Sequence, residues 1–124
     1  MTAWTSDELM KIGAADELEI ASLRGDGTLR RPVTIWVVRY GDDLYVRSVN
    51  GRGAAWFRGV QDRHEARIDA GGVQKDVRLD EVNDLNDALD AAYRAKYHRY
   101  AKSIVDSIVS PQARAATLKL TPRA

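Results

Sequence analysis

The 124 residues of this sequence are 44% hydrophobic and 30% charged, with a formal net charge of +1 at pH 7, a balance typical of one compact globular domain. The sequence contains no cysteine, which excludes disulfide bonds, thiolate metal ligands and cysteine nucleophiles. The near-neutral charge argues against a generic nucleic-acid-binding protein, and no apolar run approaches the roughly 18 residues of a membrane-spanning helix. We expect one cytoplasmic domain over residues 1–124, with no nucleic-acid or membrane partner.

Turn-forming residues divide the N-terminal half into short elements. The predicted elements are a helix from Thr5 or Ser6 to Gly13, strands at 18–20, 33–40 and 44–48, and a helix around 54–60. The run Val33–Tyr40 carries β-branched and aromatic residues on both of its faces, as is typical of a strand covered on both sides. This run is therefore predicted to be one central strand.

The C-terminal half predicts a hairpin, one long helix and a last strand. These elements are strands at 64–70 and 73–79 around Gly71-Gly72, a helix from Asp84 or Asn86 to about Ile108, and a strand at 116–120. Apolar residues recur every three or four positions through the whole helical segment, and Pro111 ends it. About six strands, joined mostly by tight turns, favour an antiparallel α+β domain with a small barrel or a strongly curved sheet.

All the cations between residues 30 and 58 are arginine. In a hairpin the start of one strand lies beside the end of its partner, so residues 30–34 and 47–49 are predicted to converge. Arginine binds phosphate through paired hydrogen bonds, and the helix at 54–60 adds the positive end of its dipole. The predicted phosphate ligands are Arg30, Arg31, Thr34, Arg47, Ser48 and Arg52. The alternative is a set of solvated arginines at strand ends.

Two tryptophans lie close in sequence to this arginine cluster. Trp36 on the predicted central strand and Trp56 on the short helix are suited to form flat walls for an isoalloxazine ring. Each is also suited to fill a hydrophobic core.

The long helix carries a second candidate group. Tyr93 and Lys96 share one side of the helix with Tyr97 and Tyr100, and we predict that Tyr93 and Lys96 contact a substrate as catalytic residues. Structural packing is the alternative, with Lys96 reaching the solvent edge or a carboxylate. Neither histidine has a second ligand at metal spacing, so no metal site is predicted.

Three segments together resemble the family called domain of unknown function 2255: PVTIWVVRYGDDLYVRSVNGRGAAWFRG, DAAYRAKYHRY and ATLKLTPR. This family looks like a branch of the FMN-binding split-barrel group, which includes pyridoxamine-phosphate oxidases and deazaflavin-dependent nitroreductases. The resemblance implies a split β-barrel of about six strands, a homodimer, and a groove for FMN or a deazaflavin coenzyme near the subunit interface. It also implies that Arg30 or Arg31 with Thr34, and Arg47, Ser48 and Arg52, hold the cofactor phosphate.

Two functions remain open from the sequence. In the first, the protein is an oxidoreductase whose flavin or deazaflavin passes a hydride to a small organic substrate. Arg47 and Arg52 then hold phosphate, Trp36 and Trp56 wall the ring, and Tyr93 or Lys96 polarises the substrate. In the second, the same barrel lacks a cofactor and binds or transforms a small anionic metabolite. A purely structural dimer accounts least well for the arginine cluster.

Overall fold

A computed structural model describes residues 3–123. The strands are β1 (Leu18–Ser22), β2 (Val33–Ile35), β3 (Val37–Tyr40), β4 (Asp43–Arg47), β5 (Glu65–Ala70), β6 (Val73–Glu81) and β7 (Thr117–Pro122). The helices are α1 (Ser6–Ala14), α2 (Ala55–Arg63), α3 (Asn86–Lys96), α4 (Lys102–Ile108) and α5 (Pro111–Arg114), and a single 3-10 turn covers Gly51–Gly53.

The strands form one antiparallel sheet in the order β2-β1-β5-β6-β7-β4-β3. Its two edge strands, β2 and β3, are separated along the chain by Trp36 alone. Two peptide units span at most about 7 Å, so the two edges of the sheet are forced to meet at this residue. The sheet therefore curls into a barrel that is closed by the covalent chain at Trp36 and open beyond it. The predicted α+β split barrel is confirmed.

The prediction of one central strand over Val33–Tyr40 was wrong. This run breaks at Trp36 into β2 and β3, which are the two edges of the sheet, and the break raises the strand count from about six to seven. β2 is largely exposed. β-branched residues on both faces indicate burial when they lie in one straight strand, whereas this run supplies one strand to each edge of the sheet.

The local turn and cap signals were confirmed. The Thr5 hydroxyl accepts the Glu8 N–H at 3.1 Å, and the Glu8 carboxylate accepts the Thr5 N–H at 2.9 Å, which forms a capping box at the start of α1. The predicted hairpin of β5 and β6 turns at Gly71 and Gly72, both at positive φ. A Cβ at Gly71 would lie 2.3 Å from the Lys11 carbonyl oxygen, so glycine lets the hairpin pack on α1.

The prediction of a single long helix to about Ile108 was wrong in one respect. The apolar repeat continues from Leu85 to Ile108, but the helix is interrupted between Tyr97 and Ala101 and divides into α3 and α4. Neither glycine nor proline marks the interruption in the sequence. Its cause is tertiary, because the Tyr97 side chain bonds to the backbone of β3 and of the loop before β1.

Two hydrophobic clusters hold the fold. The barrel core fills the inside of the curled sheet and includes Ile20, Val46, Phe57, Ile68 and Leu118, all at most 1% exposed. The outer core lies where α3 and α4 pack on β3 and β4, and it includes Val38, Leu89, Tyr93 and Tyr97. Between residues 3 and 123, none of the helices combines the length and the apolar character that crossing a membrane requires.

Candidate functional site

A groove of about 400 Å³ lies where the barrel is open, and it is called here the seam groove. One wall is β2 with Trp36, the other is the end of β4 and the loop as far as Asn50, and Trp56 and α4 complete it. The sheet opens here because the β3–β4 pairing begins only at Val37 opposite Val46. The volume lies in the range of small-molecule sites. The groove brings together five predicted residues: Thr34, Trp36, Arg47, Ser48 and Trp56.

The Trp36 indole forms a fixed aromatic wall of this groove. Its ring stacks on that of Tyr97 with 3.8 Å between centroids and 1° between planes. Tyr100 packs at a tilt of 51° with its centroid 5.0 Å from that of Trp36. Such contacts hold an aromatic side chain in one orientation.

Trp56 is the second aromatic side chain of the groove. It lies in the first turn of α2, is half-buried, and contacts Phe57 edge to face at a centroid distance of 5.9 Å. Phe57 belongs to the barrel core, so Trp56 is anchored on one side while its other side borders the groove.

Arg47 reaches the groove but has no donor left for a phosphate, which corrects its predicted role. Its side chain is fully buried, and all five of its N–H groups point to protein acceptors. The Arg47 acceptors are the Asp90 carboxylate at 2.5 Å, the Ile108 carbonyl oxygen at 3.1 Å, the Thr117 hydroxyl at 3.0 Å, and the backbone and side-chain oxygens of Asn86 at 3.2 Å. Arg47 therefore braces α3, α4 and β7 against β4.

Two further predicted phosphate ligands are also engaged by the protein itself. The Ser48 hydroxyl donates to the Gly51 carbonyl oxygen at 2.7 Å and is buried. Arg52 lies outside the groove lining, where it forms an ion pair with Glu81. The hydrogen bond from Arg52 lowers the pKa of the Glu81 carboxyl from its ordinary value. The structure thus gives Ser48 and Arg52 structural contacts in place of the predicted ligand contacts.

A second hollow, of about 210 Å³, adjoins the seam groove across Val33 and Trp56, and it is called here the arginine hollow. Its lining includes Arg24, Arg30, Arg31, Ser22 and Ala55. Strand pairing predicted that Arg30 and Arg31 lie near residues 47–49, whereas the structure places these two arginines in the neighbouring arginine hollow. Thr34, in β2, borders the seam groove and is exposed.

The three arginines of the hollow differ in their partners. Arg30 forms an ion pair with Asp62 at 2.5 Å and donates to the Gly59 carbonyl oxygen at 3.2 Å. Arg24 donates only to uncharged acceptors, the Leu29 carbonyl oxygen and the Thr28 hydroxyl. Arg31 is exposed and pairs with no carboxylate among residues 3–123. No side chain caps the start of α2, which borders this hollow at Ala55.

Neither predicted catalytic residue lines the groove. Tyr93 is fully buried in the outer core, and its hydroxyl has no hydrogen-bond partner within the described chain. Burial raises the pKa of the Tyr93 phenol. The Lys96 ammonium donates to the Val37 carbonyl oxygen at 2.6 Å. Burial lowers the pKa of Lys96 to about 8, against the opposing attraction of Asp16.

Sequence reasoning missed several residues that border the two hollows. They are Arg24, Asn50, Ile104 and Ser107. Ile104 and Ser107 reach the groove because the helix breaks before α4, and no residue pattern indicates that break. Residues 3–123 hold no group of three or more potential metal ligands.

Residues 8–120 match the family described as "Uncharacterized protein conserved in bacteria (DUF2255)". The chain belongs to the DUF2255 family. The match spans almost all of the described residues, including both walls of the seam groove. A search of curated proteins by sequence finds no match for this DUF2255 chain.

Several solved structures share the fold of this DUF2255 chain at low sequence identity. An F420 reductase is 15% identical over 94% of this chain and 93% of its own, with a TM-score of 0.60. HutZ, the heme storage protein from Vibrio cholerae, is 14% identical over 96% and 90%, with a TM-score of 0.65. An FAD-binding protein from Mesorhizobium loti is 14% identical over 98% and 92%, with a TM-score of 0.55. At these identities the likeness shows the fold alone.

Proposed function

We propose that this protein binds FMN or a deazaflavin coenzyme and acts as an oxidoreductase on a small organic substrate. The observation that carries the proposal is the continuity between an aromatic groove and a cationic hollow, which share Val33 and Trp56. A flavin or deazaflavin has this same division between a flat, mostly apolar ring and an anionic tail. Proteins named as F420, FAD and nitroimidazole-resistance proteins share the fold, which supports this choice of ligand class.

The seam groove suits the ring. Trp36 offers a flat surface fixed by stacking on Tyr97, and Ile104 and Val49 add apolar contacts. Thr34 and Asn50 place a hydroxyl and an amide at the rim, where they can bond to polar ring atoms. Ligand sites commonly combine apolar walls with a few polar groups in this way.

The arginine hollow suits the phosphate. Arg31 and Arg24 pair with no carboxylate within residues 3–123, and the first turn of α2, which no side chain of that range caps, presents backbone N–H groups and a positive dipole end. We therefore assign the phosphate contacts to Arg31 and Arg24, with Arg30 held behind them by Asp62. In this assignment Arg47 and Arg52 are structural.

The groove favours a flavin over a haem. Haem iron is held by a histidine, cysteine, methionine or tyrosine, and the residues that line the groove include none of these. A bound flavin or deazaflavin supplies hydride transfer. The contribution of this chain is to orient the ring against Trp36, exclude water with Trp56 and α4, and hold the anionic end.

Apolar side chains around the groove favour a homodimer. Val33, Val49 and Ile104 border it and are 37%, 40% and 49% exposed. A second copy covering this rim would bury them and narrow the opening. Light scattering of the purified protein tests this: a dimeric mass that falls to the monomer in Ile104→Glu supports it, and a monomeric parent protein contradicts it.

Fluorescence titration with FMN, FAD and the deazaflavin coenzyme, each alone, tests the cofactor. We expect saturable micromolar binding of one of them. Trp56→Leu should weaken that binding, because it removes the side chain shared by groove and hollow. Trp4→Phe is the matched control, since Trp4 is buried in the barrel core and bonds to the Leu120 carbonyl oxygen.

The second candidate is a cofactor-free protein for a small anionic metabolite. It is favoured by Arg31, which is exposed and has no carboxylate partner in the described part of the chain, so that it can bind an anion whether or not a ring fills the groove. Binding of inorganic pyrophosphate, with none of the three cofactors bound, would select this candidate over the oxidoreductase.

A further inference from the structure

Val37, the first residue of the edge strand β3, has its backbone satisfied by side chains. Its N–H donates to the Tyr97 hydroxyl at 3.2 Å, and its carbonyl oxygen accepts from the Lys96 ammonium at 2.6 Å. The Tyr97 hydroxyl also lies 2.7 Å from the Asp16 carbonyl oxygen, to which it can donate. Two consecutive residues at the end of α3 thus hold both backbone polar groups of one edge residue.

The pairing of β3 with β4 shows why these groups are available. Val37 lies directly opposite Val46. Opposite residues in an antiparallel pair alternate between exchanging both backbone bonds and exchanging neither. The Val37 N–H is given to Tyr97, so this pair exchanges neither bond, and the Val37 groups point away from β4, toward Asp16 in the loop before β1.

An exposed strand edge of this kind is a template for pairing with another strand. The β1–β2 pairing ends with Leu18 opposite Ile35, so among the described residues no strand pairs with this edge of Val37. Continued by two residues, that pairing would place Asp16 opposite Val37. Lys96 and Tyr97 stand where the hydrogen bonds of such a neighbour would be made.

We infer that Lys96 and Tyr97 are positioning residues, which take the place of a missing strand beside Val37 and so fix Trp36 as a wall of the seam groove. Two contacts hold Trp36 in place. Its backbone leads directly into Val37, whose N–H bonds to the Tyr97 hydroxyl, and its ring stacks on the ring of Tyr97. The importance of the wall for a ligand rests on the proposed function, whereas the anchoring itself does not.

Amide hydrogen exchange of the protein without ligand tests the anchoring. Tyr97→Phe keeps the ring and removes only the hydroxyl, so the Val37 amide should exchange about tenfold faster while the Ile68 amide, in the middle of the sheet, is unchanged. Tyr40→Phe removes an exposed hydroxyl from the same strand and should leave the Val37 amide unchanged. An unaltered Val37 rate in Tyr97→Phe would overturn the inference.

The second arm tests Lys96 and the position of Trp36. Lys96→Met should change the near-ultraviolet circular dichroism band that Trp36→Phe assigns to Trp36, and Lys96→Arg, which keeps a cationic donor, should restore it. Equal spectra for the parent protein, Lys96→Met and Lys96→Arg, with equal unfolding midpoints, would show that Lys96 does not position Trp36.

FMN titration of the same variants separates this inference from the proposed function. If the parent protein binds FMN, Lys96→Met should weaken binding by at least about threefold with little loss of stability, and unchanged affinity counts against the positioning role. If the parent protein does not bind FMN, the proposed FMN site fails, and the exchange and dichroism results still decide the inference.

Discussion

The two walls of the seam groove use arginine in opposite ways. On the β4 wall, Arg47 is buried and all its donors are taken by protein oxygens. Across the groove, beyond β2, Arg31 is exposed and Arg24 bonds only to uncharged groups. A buried arginine with full partners builds the scaffold, and an exposed one with donors left is the better candidate for binding an anion.

The difference arises from partners that are distant in sequence. Arg47 bonds to Asp90, Ile108 and Thr117, which lie 43, 61 and 70 residues away along the chain. The clustering of arginines within residues 30–58 therefore predicted a concentration of cations in this region. It could not distinguish Arg47, which holds the scaffold together, from arginines such as Arg31 that have donors left for a ligand. The following predictions test this division.

Arg47→Met should have the largest effect. Removing Arg47 leaves Asp90 with its longer ion pair to Arg114, at 3.3 Å, and frees the backbone acceptors of α3 and α4, at a cost of about 3–5 kcal/mol in the free energy of unfolding. Urea unfolding measures this value. Arg31→Met is the matched control, with an expected change within about 0.5 kcal/mol. Similar losses in both variants would remove the distinction between the walls.

Arg31→Met, which should leave stability nearly unchanged, should weaken the binding of FMN. Loss of one exposed charge-assisted contact should weaken FMN binding roughly fivefold, and the loss should shrink as salt concentration rises. Arg52→Met, which alters an arginine outside the groove, should bind FMN as the parent protein does. Equal weakening by both variants would indicate a general effect of charge and would contradict the assignment to the arginine hollow.

A third prediction concerns Lys96 and the pH dependence of stability. Its pKa is lowered by burial to about 8 in the folded protein, from 10.5. Between these values the unfolded chain binds the proton that the folded chain has released, so stability gains a contribution as pH rises from about 8 to 10. Urea unfolding should show this rise in the parent protein and not in Lys96→Met. A parallel pH dependence in both proteins would contradict the lowered pKa.

Above about pH 10 the effect of pH on stability changes sign, because two buried tyrosines then contribute. Burial raises the pKa of Tyr93 and Tyr97 above the ordinary value of 10.0. Above that pH the unfolded chain loses phenolic protons that the folded chain keeps, and stability falls.

Local patterns predicted the parts of the fold that local physics decides. The start of α1 at Thr5 or Ser6 and the turn at Gly71-Gly72 each depend on residues close in sequence, and each was confirmed. The split at Trp36 and the break at Tyr97 were not predicted, because the contacts at both points are tertiary: the Trp36 ring stacks on that of Tyr97, and the Tyr97 hydroxyl bonds to Val37 and Asp16. A pattern of apolar residues continues unaltered through both points.

The candidate site was predicted in the same uneven way. Trp36, Trp56 and Thr34 border the groove as expected, because aromatic and polar residues on adjoining strand ends share one opening. The expected catalytic contacts of Tyr93 and Lys96 were not found, because a shared helix face indicates a common direction and not whether that direction leads to a groove or to a core. The single domain over residues 1–124, the homodimer and the cofactor stay predictions.

The strand that comes last in the chain lies inside the sheet. Within residues 3–123, β7 makes the hydrogen-bonded link between β2-β1-β5-β6 on one side and β4-β3 on the other, whose outer edges the covalent chain joins at Trp36. Until residues 117–122 have been synthesised, the chain can form two separate sheets but not the barrel. Contacts between strands so distant in sequence slow folding, so both sheets expose open edges during this interval. The groove consequently cannot exist on a partly made chain, and this protein should acquire any ligand only after the last strand is in place.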